Sequence, residues 1–214
     1  TDLVASDLNG NTNDAFLRDR LAGTTVLVSV STGGAMQGDA GSTNPRVSAD
    51  GSTVVFQSIA RNLVPGDHNM RFDIFHHDVA SVTTTRIEAF GGGDPDLNSG
   101  IASVSDDGRY VAFHSDATNL VPGDTNSAQD VFLADTVGGA TVRLSTDTGG
   151  AEGDQGSQNA CISGNGEVVV FGSSATNLIG AGQDNNGVND VFARDCIPSA
   201  ATFCTAKTGL VCGT

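Results

Sequence analysis

Ser48-Ala49-Asp50-Gly51-Ser52-Thr53-Val54-Val55-Phe56, with Asp73-Ile74-Phe75-His76-His77-Asp78 behind it, decides the fold. Positive φ costs Asp and Gly least, so Asp50-Gly51 reads as a tight turn. A short strand ends before it (Arg46–Ser48) and a second, carrying the apolar triplet, leaves it (Thr53–Ser58). After a polar loop, Asp73–Asp78 reads as a third strand, and a short hairpin leads to a fourth (Thr84–Phe90). The pattern then repeats. Ser-x-x-Gly before an apolar triplet returns at Ser105-Asp106-Asp107-Gly108 with Val111–Phe113 and at Ser163-Gly164-Asn165-Gly166 with Val169–Phe171. Asp-x-Phe-x-x-Asp stands at Asp14–Asp19, Asp73–Asp78, Asp130–Asp135 and Asp190–Asp195, in steps of 59, 57 and 60 residues. Asn-Leu-Val-Pro-Gly-Asp occurs at Asn62–Asp67 and Asn119–Asp124, with a looser copy at Asn177–Ile179. Four antiparallel strands at a fixed period are the mark of β-propeller blades.

Composition agrees. The chain has 214 residues, room for one large domain or two small ones. It is rich in Gly (28 residues) and Asp, holds only three Glu and one Lys (Lys207), and suits strands and turns better than helices. Its apolar residues are clustered and periodic, which argues against disorder. A formal net charge of −15 argues against nucleic-acid binding, because phosphate needs a basic face. No apolar run approaches the ~20 residues a membrane helix needs. The chain opens at Thr1 with no apolar signal region, and reads as a mature product or a fragment.

Ser-x-Asp-Gly-x-x-Val-x-Phe followed by Asp-x-Phe-x-x-Asp resembles the TolB-like propeller repeats, whose units carry Pro-x-x-Ser-x-Asp-Gly. Asn44-Pro45-Arg46-Val47-Ser48-Ala49-Asp50-Gly51 is the best copy, and later copies have Ala102 and Ala160 in place of the Pro. The Asn-Leu-Val-Pro-Gly-Asp segments are similar to those of bacterial secreted repeat proteins. The resemblance spans nearly the whole chain and implies a propeller; propellers of this type serve as binding platforms, protease accessory domains and, less often, lyases. The expected fold class is thus all-β, with four-stranded antiparallel blades, about three and a half per chain. Residues 1–32 form a half-blade, and fuller blades occupy about 44–90, 101–146 and 159–212. Closed propellers use about four to eight blades, so this chain is not expected to close a ring alone. The unpaired edge of the half-blade would be a template for self-association, for the remainder of a longer propeller, or for an open filament.

The loops between second and third strands, and those leading to the next blade, fall on one face, and both are acidic. The first kind carries Asp-x-Asn-x-x-x-Asp at Asp67, Asn69, Asp73, at Asp124, Asn126, Asp130, and at Asp184, Asn186, Asp190. A copy with one extra residue stands at Asp7, Asn9, Asp14. Alternating oxygen ligands in a turn suit calcium, with Kd of order 10⁻⁴–10⁻³ M in extracellular modules. Clustered carboxylates repel by ~1 kcal/mol per pair at 4 Å even in water, and a chain with one Lys has few other means of neutralising them. Asp39, Asp96 and Asp154, each nine residues before the first-strand Ser, are secondary metal candidates. Alternatively, these Asp and Asn residues are turn formers copied by duplication. The Asp closing each third strand (Asp19, Asp78, Asp135, Asp195) reads as a cap on the next turn.

No catalytic constellation emerges. His76 and His77 are adjacent in a strand and point to opposite faces; His68 and His114 are not repeated. There is no Gly-x-Ser-x-Gly elbow, and Gly91–Gly93 and Gly149-Gly150 lack the Lys and helix of a phosphate loop. Cys161, Cys196, Cys204 and Cys212 match no zinc spacing and suit an oxidising compartment. A Cys196–Cys204 bridge would staple the last hairpin. The sequence therefore points to an extracellular, calcium-stabilised, non-enzymatic propeller used for assembly or binding, secreted or on the cell surface, with the periplasm as the alternative compartment. The competing readings are a lyase or hydrolase acting on acidic polysaccharide, and a module of a larger surface protein with a glycan or protein ligand.

Overall fold

The structure is a computed structural model; it describes residues 12–180 and 183–196, residues 4, 9 and 10, and the backbone of 204–206. The strands are β1 (Phe16–Asp19), β2 (Thr24–Leu27), β3 (Ser42–Val47), β4 (Thr53–Ser58), β5 (Asp73–Asp78), β6 (Thr83–Arg86), β7 (Ser99–Val104), β8 (Tyr110–Ser115), β9 (Asp130–Asp135), β10 (Thr141–Arg143), β11 (Ser157–Ile162), β12 (Val168–Ser173), β13 (Asp190–Cys196) and β14 (Cys204–Ala206). They form one two-stranded sheet, β1-β2, and three four-stranded antiparallel sheets, β3 to β6, β7 to β10 and β11 to β14. Contacts between sheets join consecutive sheets in an open array.

The second and third strands run where the sequence places them. Ser48 Oγ donates to Asp50 Oδ1 (2.6 Å) and accepts from Thr53 N (3.0 Å), and Gly51 takes φ 73°. Ser105 with Asp107 and Ser163 with Asn165 repeat the lock at 2.6 and 2.7 Å. Successive turns stack. A Cβ on Gly108 would lie 2.3 Å from Thr53 Oγ1, so this glycine is needed for close approach as well as for its φ of 75°.

First strands are longer than the sequence reading, beginning at Ser42, Ser99 and Ser157. Each contains a register shift, with positive φ at Asn44 (53°), Ile101 (40°) and Asn159 (58°). A bulge of this kind inserts one residue and breaks the alternation from which strands are read. Fourth strands are shorter than expected: β6 stops at Arg86, after which the chain turns toward Gly91–Gly93.

The core lies between sheets. Val55, Ile74 and Ile87 of one blade pack on Ala102, Val111, Phe113 and Phe132 of the next. The following boundary repeats this with Ala112, Val131 and Leu133 against Ala160, Val169 and Phe171. Both motif phenylalanines belong to this core. Phe56 and Phe75 are register partners with ring centroids 5.7 Å apart, and Phe113–Phe132 and Phe171–Phe192 repeat the stack at 5.7 and 5.9 Å. Such pairs add ~0.5–1.5 kcal/mol beyond their buried area.

Candidate functional site

Hairpin connectivity puts the β4–β5 loop and the connection after β6 at the same end of the blade, so their acidic residues converge. The sequence reading expects a metal at their focus. In the second unit an arginine occupies it. Arg86, at the end of β6, directs Nη1 to Asp94 Oδ1 (2.5 Å), Asp73 Oδ2 (3.4 Å) and Asp67 Oδ1 (3.5 Å). The third unit repeats this: Arg143 Nη1 lies 2.9 Å from Glu152 Oε2 and 3.3 Å from both Asp130 Oδ2 and Asp124 Oδ1. Neutralisation in these two units therefore comes from arginine, which the count of lysines did not anticipate. Arg86 and Arg143 each stand 13 residues after the strand-opening Asp, a spacing that could have exposed them.

The asparagines act as donors toward the carboxylates. Asn69 Nδ2 donates to Asp73 Oδ2 (3.0 Å) and Pro95 O (2.9 Å), while its Oδ1 accepts from Arg71 N (2.8 Å). Asn126 bridges Asp130 Oδ2 (3.2 Å), Gly153 O (2.8 Å) and Ala128 N (2.8 Å) in the same way. Two acceptors on one side and one N–H on the other fix each amide's orientation.

One guanidinium against three carboxylates leaves negative charge in a largely buried site. Burial pushes the Asp73 carboxyl up to about 7, with Asn69 and Arg86 pulling the other way. Burial, reinforced by Asp130, raises Asp124 to about 6. Asp67 and Asp130 are raised by burial as well. Glu152 moves down, held chiefly by the Thr125 hydroxyl and backbone N–H.

The first unit solves the same problem without charge. Leu27 takes the arginine's place opposite Phe16 in the β1–β2 register, as Arg86 stands opposite Phe75. Asp14 instead accepts from Ser29 Oγ (2.9 Å), Gln37 Nε2 (3.1 Å) and Asn9 Nδ2 (3.2 Å). Gln37 sits where the charged units have Asp94 and Glu152. Asp7 lies outside the described residues. In the fourth unit Asn186 Nδ2 donates to Asp190 Oδ2 (3.0 Å), and Asp184 is buried with an Oδ2 that has no hydrogen-bond partner.

Asp39, Asp96 and Asp154 are directed elsewhere. Asp96 accepts from Thr118 N (2.8 Å) and Oγ1 (2.6 Å), and Asp154 from Thr176 N (2.7 Å) and Oγ1 (2.6 Å). Asp39 accepts from Arg61 N (2.8 Å). The acids that reach the clusters, Asp94 and Glu152, stand two residues earlier. Third-strand Asp19, Asp78 and Asp135 cap their turns, accepting from Ala22 N (2.9 Å), Ser81 N (2.7 Å) and Gly138 N (3.0 Å). Cys196 and Cys204 are register partners across β13 and β14, and Cys161 is exposed with a free thiol. Among the described residues no group of three or more His, Cys, Asp or Glu is disposed to hold a metal by itself, and no helix is long and apolar enough to cross a membrane.

No protein-family model and no curated protein matches the sequence. Solved structures do match in shape. A putative TolB from Agrobacterium tumefaciens superposes with a TM-score of 0.52 at 20% identity, over 87% of this chain and 54% of that one. The tricorn protease gives 0.54 at 14% identity, over 86% of this chain and 16% of its own length. A prolyl endopeptidase gives 0.51 at 12% identity, over 94% and 27%. This chain thus spans about half the length of the TolB and a smaller share of the peptidases. Such identities carry the fold alone. Consecutive four-stranded antiparallel sheets with their cores between them, together with these likenesses in shape, make this an open TolB-like β-propeller array, with three blades and a half-blade among the described residues.

Proposed function

We propose that the chain is a non-enzymatic structural and ligand-presenting part of a larger propeller, working in a secreted, surface or periplasmic setting. Its acidic rim is stapled by arginine in the second and third units and by calcium in the fourth. One observation carries this reading: the paired loop and strand carboxylates converge on a positive centre in two units, and the fourth retains the pair Asp184 and Asp190 with a buried orphan oxygen. The position that would stand opposite Phe192, as Arg86 stands opposite Phe75, is Thr208, and the one cationic residue after Arg194, Lys207, lies outside the described residues. A hard divalent cation taking oxygen ligands suits the carboxylate pair. A non-catalytic role is supported by repetition. In the second and third units the same carboxylates serve the same internal partners, whereas catalysis rests on one unequal constellation.

The ends of the array support joining further blades, from a longer chain or a second copy. Val47 is 50% exposed where its counterpart Ile162 is 8% exposed, and Val191 is 57% exposed where Val131 is fully buried. A cross-strand Cys196–Cys204 bridge would close the last hairpin in an oxidising compartment.

Thermal unfolding in EDTA and in about 1 mM calcium tests the metal. Calcium is expected to raise the Tm of the wild type by several degrees and to leave an Asp184→Asn, Asp190→Asn variant unmoved. A wild-type Tm that ignores calcium contradicts the proposal.

A further inference from the structure

A cleft of about 780 Å³ opens at the outer edge between the second and third sheets. One wall is β6 and the turn after it, including Thr84, Ile87 and Phe90; the other runs from Ala134 through Gly139 to Thr141. The preceding boundary has the same construction, and there the chain fills it. The turn Thr32–Gly34 lies on the outer edge of β6. Thr32 Oγ1 donates to Thr84 O and accepts from Thr84 N (3.1 Å each), Gly33 N donates to Val82 O (2.7 Å), and Thr84 Oγ1 donates to Val30 O (2.5 Å).

One blade on, Gly139 and Thr141 hold the positions of Val82 and Thr84, because Arg143 stands opposite Phe132 as Arg86 stands opposite Phe75. The covering turn is missing from this edge for two reasons legible in the sequence. Ten residues separate Leu27 from Gln37, but only eight separate Arg86 from Asp94. Thr32-Gly33-Gly34 is also replaced by Phe90-Gly91-Gly92, so no hydroxyl is present. The shorter turn closes on itself instead, with Ala89 N donating to Gly93 O (3.1 Å) and Gly92 N to Ala89 O (2.9 Å).

β10 ends its sheet. Ala140 O accepts from Asp135 N, and Leu144 N donates to Val131 O, so those residues face β9. By the alternation of an antiparallel ladder, Thr141 turns its main-chain N–H and C=O toward the cleft. Among the described residues none hydrogen-bonds those groups. Phe90, 70% exposed, stands at the mouth as an apolar contact.

We propose that this cleft is a peptide-docking site. It receives a short turn-forming segment of a partner protein bearing a Ser or Thr followed by glycines, bound to the β10 edge as Thr32–Gly34 binds the β6 edge. The hydroxyl pairs with Thr141 N–H and C=O, the first glycine N–H donates to Gly139 O, and a flanking apolar side chain rests on Phe90. This is strand-edge recognition, with main-chain hydrogen bonds for affinity and the small residues for fit.

The test is an NMR titration with a capped peptide of residues 30–36, Val-Ser-Thr-Gly-Gly-Ala-Met. A Kd of order 1 mM is expected for so short a segment. Amide shifts should concentrate at Gly139–Thr141 and Phe90–Gly92. Replacing the peptide's Thr by Val should weaken binding at least several-fold. Thr141→Pro in the protein removes the outward N–H without touching the ladder and should abolish it. If that variant does not fold, the Val peptide on the wild type still decides. Absence of shifts at several millimolar peptide, shifts outside the cleft, or equal binding of the Thr and Val peptides would overturn the proposal. So would shifts at these residues on raising protein concentration alone, which would mark a second copy as the occupant.

Discussion

One aspartate, two residues before the third-strand Phe of each unit, is held in three ways. Asp14 takes neutral donors, Asp73 and Asp130 face an arginine, and Asp190 is met by an asparagine amide. The sequence made the aspartate and asparagine legible because both repeat at constant spacing. It hid the arginine because only two of four units have it, and it hid Asp94 and Glu152 because the acid type changes between copies. The charged solution carries a pH signature. A carboxyl whose folded value is raised from its ordinary 3.8 to about 7 contributes stability that is present at low pH and lost as pH rises through about 7. His76, His77 and His114 act with the opposite sign: burial lowers them, and their contribution is lost as pH falls below their ordinary value. The wild-type profile mixes the two, so the informative quantity is a difference. The Tm of Asp73→Asn minus that of the wild type is expected to grow more positive from about pH 5 to about pH 8. A difference that does not change with pH would refute the assignment.

At the scale of the element, the Asn-Leu-Val-Pro-Gly-Asp loop is a clamp. Asn119 Nδ2 donates to Asp94 O (2.9 Å) while its Oδ1 accepts from Asp96 N (3.0 Å), and Asn62 and Asn177 grip Gln37–Asp39 and Glu152–Asp154 in the same way. Leu63, Leu120 and Leu178 are buried beside them. Two connections that leave the blade at the same end are thereby joined, which explains why the segment repeats. Asn119→Ala loses both bonds and strands the half-buried carbonyl of Asp94. We expect it to cost about 1–3 kcal/mol in urea unfolding, and a cost near zero would remove the clamp. The sequence marked these loops, the Asp-Gly turns and the second and third strands, since each combines turn chemistry with an apolar period. The first-strand bulges stayed hidden. Left-handed φ is ordinary for Asn44 and Asn159 but unexpected for the β-branched Ile101, where the repeat imposes it.

Over the whole molecule, each sheet supplies one apolar face to its predecessor and one to its successor, and the array ends on faces whose counterparts elsewhere are covered. Repeat architectures hold together through such nearest-neighbour terms. The period alone made this arrangement legible; the spacing of loops beyond the blade core decided where clefts open, and that depended on insertions of two residues that no periodicity reveals. The arginine clusters link loop, strand and outgoing connection, so their contribution should be cooperative. A double-mutant cycle on Arg86→Met and Asp73→Asn, read by urea unfolding, measures this. Arg86→Met alone should cost about 3–5 kcal/mol by leaving buried carboxylates unpaired. The double variant should fall short of the summed single costs by at least about 1 kcal/mol, whereas costs that add within about 0.5 kcal/mol would contradict an arginine-centred staple.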